Sequence, residues 1–217
     1  MNIIWYGQSC FKITANGKNN EAVEIVIDPF PEELGLKVPK LSANIVLSTH
    51  DHADHNNVKA VSGTPFFILG PGEYDTKGVF IQGISAFHDN SGGKEKGKNV
   101  IYTIESEDIR ICHLGDLGQK ELAKEQLEEI GNVDILMIPI GGNYTIDGKE
   151  ALDIMAQIEP RIIIPMHYSL PKLETKLDGL DKFLKHLGIK SPEPLQKLSV
   201  KKKDLSDDEA KIVVLQP

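Results

Sequence analysis

Within six residues, His50-Asp51-His52-Ala53-Asp54-His55 gathers three histidines and two aspartates. Imidazole and carboxylate together form the ligand set of zinc, manganese or iron(II), and the lack of a thiolate in the cluster sets it apart from a structural zinc finger. A polar loop capping a helix would account for Asp51 or Asp54 alone, but not for three histidines crowded beside them. The cluster directly follows Ile45-Val46-Leu47, which reads as a buried strand, so these side chains sit where a rigid element gives way to a loop. Three later positions share that placement: His88 after the stretch 78–87, Asp116 just beyond 108–112, and His167 just beyond 161–165. If these strand ends converge on one edge, their nitrogen and oxygen atoms suffice for two metal ions. His50, His52 and His88 would hold one, Asp54, His55 and His167 the other, and Asp116 would bridge them.

The elements that must position these residues are read from the pattern around them. Asn2 to Trp5, Phe11 to Ala15 and Ala22 to Ile27 are expected strands, separated by Gly7 and by a turn at 16–20. The third ends in Asp28-Pro29-Phe30, where the aspartate is either a turn residue or a group that orients neighbouring loops. Residues 31–43 read as a surface excursion, 57–61 as a short helix behind the histidines, and 65–69 as a strand. Ser91 to Lys98, rich in glycine and lysine, reads as a mobile loop, and 99–105 with 108–112 as a hairpin. Helices are expected over 119–130, 149–158 and 173–187, strands over 133–139 and 161–165, and a closing strand pair at 197–201 and 211–215. A strand-rich first half and an alternating second half suggest two sheets with helices outside. Asp51, between the histidines, is expected to point away from them and cap the following turn.

In this order the segments closely resemble the metallo-β-lactamase superfamily. The resemblance rests on Thr49-His50-Asp51-His52-Ala53-Asp54-His55, on Gly115-Asp116 and on Ile164-Pro165-Met166-His167-Tyr168. It also takes in Gly7-Gln8-Ser9-Cys10-Phe11 and Ile27-Asp28-Pro29-Phe30, and so spans nearly the whole chain. Within the superfamily the sequence looks most like the short, single-domain metal-dependent hydrolases that include L-ascorbate-6-phosphate lactonase. The resemblance implies an α/β fold, a four-layer αββα sandwich of two mixed β-sheets flanked by helices, with residues 1–217 as one hydrolase domain. It implies two divalent ions, Zn2+ first with Mn2+ or Fe2+ as alternatives, and a hydroxide held between them as nucleophile. Asp54 would ligate one ion and orient that hydroxide. Tyr168 would contact the substrate or a developing oxyanion, although a packing role explains it equally well. His113 competes with His88 for the third histidine of the first ion; the family places this ligand before the hairpin that ends in Gly-Asp, which favours His88. The alternative for His113 is a hydrogen-bonded position beside the bridging aspartate. Residues 141–145 would line the pocket mouth, or form a plain glycine turn.

Composition narrows the activity. A net charge of -8 works against a nucleic-acid surface, which needs a basic face. The one basic run, Lys201-Lys202-Lys203, is followed by Asp204, Asp207, Asp208 and Glu209 and reads as a solvated hairpin turn. The opening residues lack the basic and apolar regions of a signal peptide, and no apolar run approaches the roughly 20 residues of a membrane span. Cys10 and Cys112 read as reduced thiols of a cytoplasmic protein. The expectation is a cytoplasmic hydrolase of a small-molecule ester, lactone or phosphoester, with neither nucleic acid nor membrane as partner. Its rivals are a phosphodiesterase or nuclease of the same superfamily and a metal-binding protein without turnover.

Overall fold

The apolar runs pair into two mixed β-sheets whose inner faces make the core. The structure, a computed structural model, describes residues 1–206 and 210–217. Asp207, Asp208 and Glu209, read as part of a solvated turn, lie outside the described residues. One sheet holds β1 (Asn2–Trp5), β2 (Phe11–Asn16), β3 (Ala22–Ile27), β4 (Ile45–Leu47) and β5 (Phe66–Ile68) side by side in chain order. The first three run antiparallel, and β4 and β5 join parallel to β3. The other sheet starts with the antiparallel run β6 (Gly72–Thr76), β7 (Val79–Phe87), β8 (Lys98–Ser106) and β9 (Ile109–His113). It then turns parallel through β10 (Ile135–Pro139) and β11 (Ile162–Met166). Helices α1 (Lys124–Ile130) and α2 (Gly148–Ile158) pack on this second sheet, and α3 (Leu180–Leu187) packs on α2.

Burial follows the sequence pattern. The antiparallel β2 alternates between buried and half-buried residues, whereas β4, β10 and β11 are buried throughout, as parallel strands covered on both faces must be. Trp5, Phe11, Ile27 and Leu47 from the first sheet share one core with Ile81, Ile104, Ile111 and Met137 from the second. Each such side chain contributes about 1.5–3 kcal/mol by leaving water. Helix α2 starts at a capping box: the Asp147 carboxylate accepts from the amides of Lys149 and Glu150, and Glu150 accepts from Asp147 N. Among the described residues, no helix is long and apolar enough to cross a membrane.

Several elements differ from the sequence reading. The stretch 31–43 is no mere excursion: Leu34, Leu36, Val38, Leu41 and Ala43 cover Cys10, Val26 and Val46 on the outer face of the first sheet. The short helix expected at 57–61 is a single 3-10 turn, Val58–Ala60. Helix α1 starts five residues late because tertiary partners capture the backbone and side chains before it. Gln119 Oε1 accepts from Phe87 N, and Leu122 N donates to Gln157 Oε1. Likewise α3 starts only at Leu180, since the chain before it is tied to loops: Asp178 N donates to Gly141 O, and Ser169 N to Asp178 O. The expected pairing of 197–201 with 211–215 does not form, although just before it Leu195 makes a parallel bridge with Leu215. β12 (Leu198–Ser199) extends the first sheet beside β1, and β13 (Lys211–Ile212) extends the second beside β11, because each sheet offers an open edge there.

Candidate metal centre

Parallel β3 and β4 end side by side, with Ile27 opposite Leu47, so Asp28 and Thr49 emerge together. Asp28 is fully buried and accepts three hydrogen bonds: from Thr49 N at 2.8 Å, Thr49 Oγ1 at 2.8 Å and His55 Nδ1 at 3.0 Å. Having given its proton to Asp28, the Thr49 hydroxyl accepts from His50 Nδ1, 2.9 Å away. One buried carboxylate thus fixes Nδ1 as the hydrogen-bonding nitrogen of two histidines and turns Nε2 of each toward the cluster. Asp28 is an orienting group, not only a turn residue.

Asp116 is aimed by the residue before it. Gly115 has φ +56°, and a Cβ there would lie 2.4 Å from Asn99 Oδ1 and 2.8 Å from Thr49 Cβ, so the turn requires glycine. Asn99 braces the same turn, accepting from Asp116 N at 3.0 Å and donating to Leu114 O at 2.9 Å. Ser9 Oγ donates to Asp116 Oδ1 at 3.1 Å. Oδ2 is left to the histidines: Nε2 of His167, His55 and His88 approach it to 3.2, 3.3 and 3.4 Å. Three side chains of this region stand on left-handed backbone: Gln8 (φ 47°), Asp28 (φ 49°) and His167 (φ 49°). Such strain costs about 1–3 kcal/mol per residue and persists only where the surroundings enforce it. Here His167 N donates to Gln8 O, and Asp28 N to Leu47 O.

These residues fit divalent metal. Separations of 3.2–3.4 Å around one carboxylate oxygen exceed the about 2.9 Å usual for N–H···O. They match the spacing between ligands of one ion, since two donors each about 2.0–2.1 Å from a tetrahedral ion lie about 3.3–3.4 Å apart. Among the described residues, His50 Nε2 is buried and has no hydrogen-bond partner. Ligand atoms gather in three overlapping groups, each within 4.8 Å: His50, His52 and His88; His50, His55 and Asp116; Asp54, His55 and His167. Burial and then the adjacent His55 push His50 down to about 3, and burial lowers His88 as well, so both are neutral imidazoles able to donate a lone pair. At His55 burial is outweighed by Asp116 and Asp28, which raise its pKa well above the imidazole range. The same carboxylates attract a metal cation. Burial at Asp116 is in turn outweighed by His167 and His55, which hold its carboxyl well below the usual range.

The remaining candidates separate cleanly. His113 donates from Nε2 to Ser9 O at 2.9 Å and accepts at Nδ1 from Gly115 N at 3.1 Å, so both nitrogens are engaged in bracing the Asp116 turn. His88, not His113, reaches Asp116. Asp51 is exposed and accepts from the Asn56 side chain. Tyr168 requires a correction: its ring is buried at 5.0 Å from that of Trp5, and it does not line the cavity over the histidines. The chain leaves β11 at Met166 and turns on the left-handed backbone of His167, so that His167 faces the cluster while the Tyr168 ring joins the core. The loop 91–98 is likewise not free. Asp89 accepts from the amides of Ser91, Gly93, Glu95 and Lys96 at 2.8–3.0 Å, and these donors, Lys96 first, hold its carboxyl below the usual range.

A cavity of about 540 Å³ opens over the cluster. Gln8, His52, Asp54, His88, Asp116 and His167 line it, together with loop residues that include Glu33, Leu34, Glu95, Lys96, Tyr144 and Thr175. The glycine-rich loop 141–145 therefore does reach the pocket, through Tyr144. Sequence reasoning gave no role to Gln8, Ser9, Asn99 or Lys96. A signal existed only for the loop: an aspartate followed by Asn-Ser-Gly-Gly is the start of a side-chain-to-backbone turn.

A family model described as the beta-lactamase superfamily domain matches residues 2–167. A UPF0173 protein of Pyrococcus abyssi is 32% identical over 195 residues, covering 77% of this chain and 83% of the relative. A UPF0173 metal-dependent hydrolase of Thermoplasma volcanium is 33% identical over 198 residues, with coverage of 77% and 83%. Among solved structures, a candidate Zn-dependent hydrolase of the metallo-β-lactamase superfamily from Thermotoga maritima aligns with a TM-score of 0.79 at 36% identity, covering 99% of this chain and 97% of that one. An isothiocyanate hydrolase from Delia radicum gut bacteria, at 12% identity and a TM-score of 0.66 over 99% of this chain and 95% of that one, shares the fold alone.

Proposed function

The chain belongs to the β-lactamase superfamily and, within it, to the UPF0173 family, and from that membership we propose that it is a metal-dependent hydrolase of a small ester or lactone, working with two divalent ions. The observation that carries this reading is the approach of three histidine Nε2 atoms to Asp116 Oδ2 beneath a cavity of about 540 Å³. That volume suits a small organic molecule.

His50, His52 and His88 would hold one ion, Asp54, His55 and His167 the other, with Asp116 shared. Zinc suits so many imidazoles, and the carboxylates also admit manganese or iron(II). Such ions, when bound, turn water into a nucleophile at neutral pH and polarise the oxygen of the group attacked. The chain's own residues do the rest. Asp28 and Thr49 fix the tautomers of His50 and His55. Asp54, partly exposed to the cavity and 3.5 Å from His55 Nε2, would take a proton from the attacking water and pass it to the leaving alkoxide. Gln8 lines the same cavity with its Oε1 buried and unpartnered, and can orient the substrate by hydrogen bonding. The acidic net charge of -8 favours small molecules over nucleic acid.

The test is hydrolysis of a panel of lactones and aryl esters, beside bis-p-nitrophenyl phosphate and RNA, by protein loaded with zinc or manganese. Turnover of an ester or lactone is expected, reduced about 100-fold or more in His50→Ala and Asp116→Ala. Turnover of the phosphodiester or RNA alone would move the assignment to the phosphodiesterases. Activity unchanged in both variants, with less than one equivalent of metal bound, would refute the reading.

A further inference from the structure

We propose that Lys96 determines the specificity of this cavity, binding an oxyanion group (carboxylate or phosphate) that the substrate carries away from the bond that is cleaved. The proposal rests on the hydrolase reading of the same site. Lys96 Nζ donates to the backbone oxygens of Asn143 at 2.8 Å and Tyr144 at 2.9 Å, and lies 5.5 Å from the centre of the Tyr144 ring. These partners hold the ammonium in place without neutralising it. An ammonium carries three donors, so one remains for a ligand.

The lack of a counter-ion is informative in a chain with 32 acidic residues. Among the described residues no carboxylate is ion-paired with Lys96, although its sequence neighbour Glu95 also lines the cavity. Glu95 is engaged elsewhere, with Ser91 Oγ 3.0 Å from its carboxylate. Among the described residues Lys96 is also the only lysine or arginine in the lining. An unpaired lysine head normally moves freely in water, and pinning it forfeits side-chain entropy. Here two loops share the restraint. One is folded on Asp89, the residue after His88, and the other follows β10. The cation is therefore tied through a short ordered loop to one of the metal-competent histidines. A substrate could place its anion on Lys96 and its ester or lactone over the histidines at the same time. Four carboxylates line the cavity, Asp54 and Asp116 among the histidines and Glu33 and Glu95 beyond them, and Glu33 and Glu95 would oppose a second negative charge, so the fit is to a small ester or lactone with one anionic group.

The experiment uses the full chain with its metal, as wild type, Lys96→Met and Lys96→Arg. Each is assayed on a neutral ester, p-nitrophenyl butyrate, and a charged one, the p-nitrophenyl monoester of succinic acid. In Lys96→Met the ratio of kcat/KM for the charged over the neutral ester is expected to fall about tenfold or more, the size of one charge-assisted hydrogen bond. The fall should lie mainly in KM, recover largely in Lys96→Arg, and shrink for the wild type as salt rises. Calorimetry with succinate and with inorganic phosphate identifies the oxyanion as the one whose binding weakens in Lys96→Met. A ratio and anion affinities both indifferent to Lys96→Met would overturn the proposal and leave the hydrolase standing. If no ester is hydrolysed by the wild type, the hydrolase reading fails and the calorimetry alone decides for or against Lys96.

Discussion

Asp28 does not line the cavity, yet it governs two residues of the candidate metal cluster. Its hydrogen bonds to His55 Nδ1 and, through Thr49 Oγ1, to His50 Nδ1 decide which nitrogen of each ring is free. Asp28→Ala should therefore weaken zinc binding about 10–100-fold, the usual effect of removing a group that orients a ligand, as read by competition with a chromophoric chelator. Unchanged affinity would mean that the rings are positioned by packing alone. At this scale legibility depended on residue type. Histidines and aspartates crowded at 50–55 announce metal chemistry, and His88, Asp116 and His167 stand out as isolated charged or imidazole groups after apolar runs. Gln8, Ser9 and Asn99 do not, because an uncharged polar residue beside a strand looks the same whether it braces a ligand or meets water. Tyr168 shows the opposite case: proximity in sequence to His167 suggested a chemical role beside an equal packing one, and the ring lies in the core against Trp5.

At the scale of elements, parallel strands do the positioning. The β3–β4 pair brings Asp28 to the histidine loop, and β9, β10 and β11 run parallel toward Asp116, residues 141–145 and His167. In open sheets of this kind ligands gather at the carboxyl ends of the strands. The Gly115 turn is the tightest joint in that arrangement. Gly115→Ala would press a methyl group against Asn99 and Thr49 on a left-handed backbone, so it should lower stability by at least about 1 kcal/mol and displace Asp116. Denaturant unfolding reads the first effect and metal content the second; a variant as stable and as metal-loaded as the wild type would contradict this account of the turn. Strands with uninterrupted apolar runs were legible from the sequence because burial on both faces leaves no other reading. The start of α2 was legible too, but those of α1 and α3 were not, since 119–123 and 173–179 are helix-compatible segments whose groups are taken by distant partners such as Phe87, Gln157 and Gly141. No single-sequence period reports a partner thirty residues away.

For the whole molecule, the two-sheet sandwich was visible in the switch from strand-rich to alternating pattern, and family membership agrees with it. The fate of the closing segments was not visible. β12 and β13 are two residues each, and which sheet edge each completes depends on assembly of the entire sandwich. That assembly also sets the central claim, because the two sheets must meet before ligands from 50–55, 88, 116 and 167 come within 4.8 Å in their groups. The most direct measurement is anomalous diffraction at the zinc, iron and manganese edges from crystals of the full chain grown without chelator. Two peaks are predicted, one among His50, His52 and His88 and the other among Asp54, His55 and His167, both beside Asp116. No peak at any edge, or a peak only at residues outside these groups, would contradict the account.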